Sequence, residues 1–187
     1  MKFILNDEIR IEDFLITKKQ KEFEYDFFKK AEEYEKWEDV DFDGVYESER
    51  TFVVEEEDIK AYSEGILDDN FLFNDREAAE KGPFRALTAH PLFLTSVGFW
   101  LTGDSGPGSW VRTPGAINPG QVIEFYEPIC LGDTIRATHR FHDKWIKRGK
   151  RYLTYVTEYF NQKDQMVAKW WITLILPRSK GEESHNF

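Results

Sequence analysis

From residue 121 onward the chain reads at period two. Residues 121–126, 134–144, 151–161 and 166–176 alternate in polarity or carry β-branched and aromatic side chains, and the segments EPICLGD, IKRGK and NQKDQ between them hold turn-forming residues. Side chains of a strand point to alternate faces, so these runs predict four strands, the last two long ones forming a hairpin. Before them stands the most apolar helix candidate, residues 87–101, LTAHPLFLTSVGFWL, with little polarity on any side. A helix apolar all round belongs at the centre of a fold. One buried helix followed by an antiparallel meander predicts an α+β domain in which a curved antiparallel sheet wraps a central helix.

The first half is organised differently. Phe23, Phe27, Phe28, Ala31 and Tyr34 recur at helical spacing within the charge-dense residues 19–37, which predicts an amphipathic helix that either covers the domain or docks a partner. Residues 51–54 read as a short strand, and residues 55–63 as a helix opening on acidic side chains that suit its dipole. Residues 75–81 read as a further short helix with Asp75 as its N-cap. The resulting division is a charged extension over residues 1–50, a domain over 51–178 and a polar tail over 179–187.

Composition narrows the function classes. At 187 residues and 41% hydrophobic content the chain can bury a core without disulfides or a metal. A net charge of −10 argues against nucleic acid, whose phosphates need a basic face. The single Cys130 has no internal partner, and MKFILNDEIRIEDF lacks the order of a secretory leader, so the expected location is cytoplasmic. No apolar run approaches the roughly 20 residues that span a bilayer, so no membrane partner is expected.

Three blocks carry a family resemblance over residues 52–177. The segment YSEGILDDNFLFND resembles a hydratase loop of the form YA-x-x-x-GD-x-NP-x-H-x-D, with Asp68, Asn70 and Asp75 on the pattern. The second block is AHPLFLTS, and the third, GQVIEFYEPICLGDTIRATHRF, has Gly120, Gln121, Pro128, Gly132 and Asp133 as landmarks. Together they resemble the MaoC-like hydratases and dehydratases, in the branch akin to the dehydratase region of large fatty acid synthases. The resemblance implies a hotdog fold and an enoyl-thioester hydratase or dehydratase. It implies an acyl-CoA or acyl-carrier thioester as substrate, no cofactor or metal, and pairing as a homodimer or with a second hotdog chain.

Two departures matter chemically. Where the pattern has the loop His, this chain has Phe73, which carries no titratable proton, and Phe71 replaces the Pro. Where the family has AHG, whose last amide donates to the thioester oxygen, this chain has Ala89, His90 and Pro91, and proline has no N–H. The amide of Leu92 is one substitute donor.

The candidate catalytic residues are therefore Asp68, His90 and Asn70. Asp68 serves as a base if poised near its substrate, although Asp68, Asp69 and Asn70 also suit loop and cap positions. His90 replaces the missing imidazole or is a packed histidine. Phe73, Leu92, Trp110 and Arg112 are candidate substrate contacts, the latter two on a Gly/Pro-rich lid or a plain insertion. Lys147 and Arg148, in a basic cluster with Lys144, Lys150 and Arg151, either attract the phosphates of coenzyme A or form a solvated turn. His139 and His142 fall on opposite faces of a strand, which disfavours a shared metal, and no G-x-S-x-G elbow supports a nucleophilic serine. The expected function is hydration or dehydration of a thioester, in one chain or as the pocket-forming half of a heteromer. The rivals are a non-enzymatic acyl-CoA-binding scaffold and a hotdog thioesterase.

Overall fold

A computed structural model describes residues 10–23, 37–102 and 115–176. Its sheet is antiparallel and six-stranded, with β1 (Tyr46–Glu47), β2 (Phe52–Val53), β3 (Ile117–Phe125), β4 (Thr134–Lys147), β5 (Lys150–Phe160) and β6 (Met166–Leu176). The order is β1-β4-β5-β6-β3, with β2 pairing separately on β4. The four predicted strands are all present, and β4 runs on to Lys147 before Arg148 and Gly149 turn it back at φ 52° and 73°. Two successive positive φ values give the tight turn whose twist matches that of the flanking strands. On β4 the core face carries Ile135, Ala137, His139 and Phe141, all buried, as period-two alternation requires.

Among the described residues five α-helices join the sheet: α1 (Lys18–Glu22), α2 (Glu56–Gly65), α3 (Phe71–Asn74), α4 (Arg76–Glu80) and α5 (Phe93–Leu101). The predicted helices at 55–63 and 75–81 appear as α2 and α4, and Asp75 caps α4 by accepting the Ala78 N–H at 3.0 Å. The helix predicted over 87–101 begins only at Phe93. Residues 87–89 are instead extended, with Ala89 N–H bonded to Ile129 O and Leu131 N–H to Leu87 O, both at 2.8 Å. Pro91 favours this outcome, because it supplies no N–H and biases the residue before it away from helix.

Helix α5 is also less enclosed than its apolar sequence predicts. Leu94, Val97 and Leu101 are buried in the core, whereas Ser96 is exposed and Phe99 and Trp100 are half-buried. Gly98 faces the sheet, where a Cβ would stand 2.5 Å from Tyr159 Oη and 3.1 Å from a Trp170 ring carbon. Glycine there lets the helix backbone lie directly on β5 and β6. No helix among the described residues is long and apolar enough to cross a membrane.

Most of the aromatic stretch predicted as an amphipathic helix lies outside the described residues. Its N-terminal flank folds as α1, capped by a reciprocal pair in which Thr17 Oγ1 accepts the Gln20 N–H and Gln20 Oε1 accepts the Thr17 N–H.

Candidate functional site

The loop that carries Asp68 holds itself together with side-chain hydrogen bonds. Leu67, at φ 58°, ends α2 in the left-handed region, and Asp68 N–H returns to Ser63 O at 2.9 Å. Asp68 Oδ1 accepts the Asn70 N–H at 3.0 Å, and Asn70 Oδ1 accepts the Leu72 N–H at 3.1 Å to cap α3. Asn70 is thus a cap, one of the two roles open to it from sequence. Asn74, which the sequence reading passed over, ties the loop: its amide donates to Asp68 O at 2.8 Å and Asn70 O at 3.0 Å, while its Oδ1 accepts from Ser63 Oγ at 2.6 Å. No local motif marks it, because its partners lie on both sides of the loop.

Across from this loop, the extended residues 87–89 are pinned by the 129–133 turn, which Asp133 organises by accepting the Cys130 N–H at 2.7 Å and the Gln162 side chain at 2.9 Å. Gly132, at φ 86°, permits that turn and donates its N–H to Val54 O at 2.9 Å. The landmark Gly132 and Asp133 are therefore the support on which His90 is placed.

His90 meets two rings. Tyr62 of α2 stacks on it with centroids 5.9 Å apart and planes 28° apart, and Phe73 of α3 meets it edge-on at 5.5 Å and 77°. The position where the family pattern carries histidine is thus in ring contact with the histidine this chain does have. Leu92 N–H donates to His90 Nδ1 at 3.1 Å, which sets the neutral tautomer with its proton on Nε2. The same bond corrects the expectation for Leu92, whose amide is committed to His90 and not left as the substitute donor to a thioester oxygen.

Beside this cluster a cavity of about 400 Å³ lies between residues 15–23, α2, Phe52 and the exposed face of α5. Tyr62 and Phe93 line it and touch each other edge-on at 5.5 Å, so the cavity shares a wall with His90. Its charged members are paired: Lys19 Nζ bonds Asp58 Oδ2 at 2.7 Å and Glu55 Oε2 at 2.5 Å. Burial pushes the Lys19 ammonium down, and the two carboxylates more than reverse this, leaving it above its ordinary value. Glu55, Glu57 and Asp58 form a carboxylate group close enough to hold a cation, and Lys19 already sits against two of them.

The structure does not bring the basic cluster to this site. Lys147 and Arg148 lie at the far tip of the β4–β5 hairpin, thirteen residues beyond Thr134, or roughly 40 Å along the strand at ~3.3 Å per residue. Two members of the cluster are engaged structurally: Lys144 Nζ donates to the carbonyls of Trp37 and Glu38 at 3.1 and 3.0 Å, and Arg151 pairs with Glu38 at 3.3 Å. Trp110 and Arg112 lie outside the described residues. His139 is buried and His142 exposed, as the opposite-face reading requires.

The family model for the FAS1-like, dehydratase domain region, matches residues 42–170. The chain belongs to that family. Its fold is the hotdog fold of solved MaoC-like dehydratases, and the extension before residue 42 lies outside the family match. The mitochondrial 3-hydroxyacyl-[acyl-carrier-protein] dehydratase of Arabidopsis thaliana is 29% identical over 128 residues, which is 68% of this chain and 73% of the relative. In structure the chain resembles the MaoC-like dehydratase of Rhodospirillum rubrum, with TM-score 0.63 and 21% identity over 75% of this chain and 95% of the other. It also resembles the C-terminally truncated HadBC (3R-hydroxyacyl-ACP dehydratase) complex of Mycobacterium tuberculosis, with TM-score 0.62 and 20% identity over 71% of this chain and 94% of the other.

Proposed function

We propose that this MaoC-like protein interconverts a 2-enoyl thioester and its 3-hydroxyacyl form, with Asp68 and His90 flanking the reacting atoms. The observation that carries the reading is the contact of His90 with Phe73: the chain lacks the loop imidazole but holds another against the same place. In hydration, water oxygen bonds C3 as its proton passes to the Asp68 carboxylate, the π electrons move through C2 onto the thioester oxygen, and the protonated Asp68 then returns a proton to C2 as that charge collapses. Asp68 has Oδ1 occupied by the Asn70 N–H, which leaves Oδ2 to take the proton of the water. His90, with its proton on Nε2, serves as a hydrogen-bond donor to that water or to the developing oxyanion. The substrate is an acyl-CoA or acyl-carrier thioester, and no cofactor takes part.

Phe73 and Pro91 favour a second form of the same reading, in which this chain shapes the acyl pocket and a partner hotdog chain carries the complete Asp/His pair. The two-subunit HadBC complex, similar in fold, supports such an arrangement. Loss of enoyl absorbance with crotonyl-CoA, followed for the chain alone and with a co-expressed second hotdog chain, separates the forms. Activity of the chain alone, lost in His90→Ala, is the expected result for the first. Unchanged turnover in His90→Ala overturns the single-chain mechanism, and activity only with a partner assigns the pocket-forming role.

A further inference from the structure

We infer that the cavity beneath the N-terminal segment seats the apolar tail of the thioester, and that residues 15–23, fastened by Lys19, form a chain-specific outer wall that limits its length. This inference rests on the thioester reading above. The cavity's volume of about 400 Å³ falls in the range of ligand pockets, roughly 300–1,000 Å³. Its lining is aromatic and aliphatic, with Leu15 and Phe23 on one side and Phe99 and Trp100 on the other. The cavity is a cleft open to solvent on one side, with an apolar lining that an apolar occupant would remove from water.

Two features join the cavity to an acyl chain in particular. Tyr62 both lines the cavity and stacks on His90, so an apolar tail in the cavity lies beside the ring that borders the imidazole. The two charged groups that line the cavity, Lys19 and Asp58, pair with each other at 2.7 Å, so the lining described presents no unpaired charge to recruit a polar ligand.

The outer wall is this chain's own. Leu15, Thr17, Lys19, Gln20 and Phe23 precede residue 42, where the family match begins. Asp58 is 5% exposed and its Oδ2 also accepts the Glu55 N–H at 3.1 Å. Releasing Lys19 would strand a buried carboxylate, which holds the segment down. Lys19 Nζ also lies 4.9 Å from the centre of the Phe52 ring, another lining residue.

Trp100 is a reporter built into the cavity. A terminally brominated decanoyl-CoA should quench Trp100 fluorescence, the quenching disappearing in Trp100→Phe and in Ser96→Phe, which fills the cavity from the exposed face of α5. With 2-decenoyl-CoA and crotonyl-CoA as substrates, assayed with a co-expressed hotdog chain where one is needed, Ser96→Phe should lower kcat/KM for the longer chain at least tenfold more than for the shorter. Lys19→Met should shift KM for the longer chain more than for the shorter. Quenching that survives in both Trp100→Phe and Ser96→Phe, or equal effects on the two chain lengths, overturns the inference while leaving hydration intact. Specific quenching with no turnover under any pairing upholds the cavity and refutes the hydration reading instead.

Discussion

Acidification should expose the cost of burying His139. The residue is 2% exposed on the core face of β4, its Nδ1 lies 2.9 Å from Thr157 Oγ1, and its Nε2 has no hydrogen-bond partner among the described residues. Burial, which penalises the charged ring, lowers its pKa from 6.5 to about 4. The unfolded chain therefore takes up a proton below pH 6.5 that the folded chain refuses until about pH 4. The contribution of neutral His139 is fully present above the higher value, is lost as pH falls between the two, and is gone below the lower. At about pH 5 the two protonation polynomials differ by a factor near 30, so folding loses ~2 kcal/mol relative to neutral pH from this residue. Urea unfolding at about pH 7.5 and about pH 5, for wild type and for His139→Gln, isolates the contribution. Carboxylates such as Glu55 and Glu56, held low by their hydrogen bonds to Lys19 and Lys60, titrate alike in both proteins and cancel. Wild type should lose about 2 kcal/mol more than the variant; parallel losses would show that the buried imidazole is protonated without penalty.

Further substitutions test other parts of the structure. Asp68→Asn keeps an Oδ1 to accept the Asn70 N–H, so stability should hold while turnover falls by roughly 10²–10⁴; normal steady-state activity would remove Asp68 from the chemistry. Gly98→Ala places a Cβ 2.5 Å from Tyr159 Oη and should destabilise by ~1–3 kcal/mol. Tyr159→Phe, which deletes a buried hydroxyl lacking a partner among the described residues, should be neutral or stabilising alone and should rescue Gly98→Ala in a double-mutant cycle by denaturant midpoint. Lys19→Met leaves the buried Asp58 without its 2.7 Å partner and should cost ~3 kcal/mol in thermal or urea unfolding, a cost that Asp58→Asn in the same chain should partly relieve.

The meander was legible in the sequence because period-two alternation is local: each of residues 121–126, 134–144, 151–161 and 166–176 states its own faces without reference to the rest of the chain. Asp75 was legible for the same reason, since an N-cap needs only the amide three residues on. The start of α5 was not. Pro91 marks a break within 87–101, but what holds 87–89 extended is pairing with residues 129–131, some forty positions away. Apolarity on all sides also misled as to burial, because the face of Ser96 borders a cavity walled by residues 15–23, a long-range contact to which no pattern within 87–101 refers.

The site divides along the same line. That residue 73 lacks a titratable proton is plain from its identity, and so is the missing amide at Pro91. That Phe73 touches His90 is not, because the contact needs α3, shaped by Asn70 and Asn74, to meet a histidine positioned by the turn at Gly132 and Asp133. The Leu92 amide shows why such placement matters chemically. From sequence it is one substitute for the missing donor at position 91; in the fold it donates to His90 Nδ1. One hydrogen bond thereby engages a backbone donor and makes Nδ1 the acceptor, leaving Nε2–H as the donor of the ring. A chain without the family's glycine amide retains hydrogen-bonding capacity at the mouth of α5 through His90, the group to which the proposed reaction assigns the developing oxyanion.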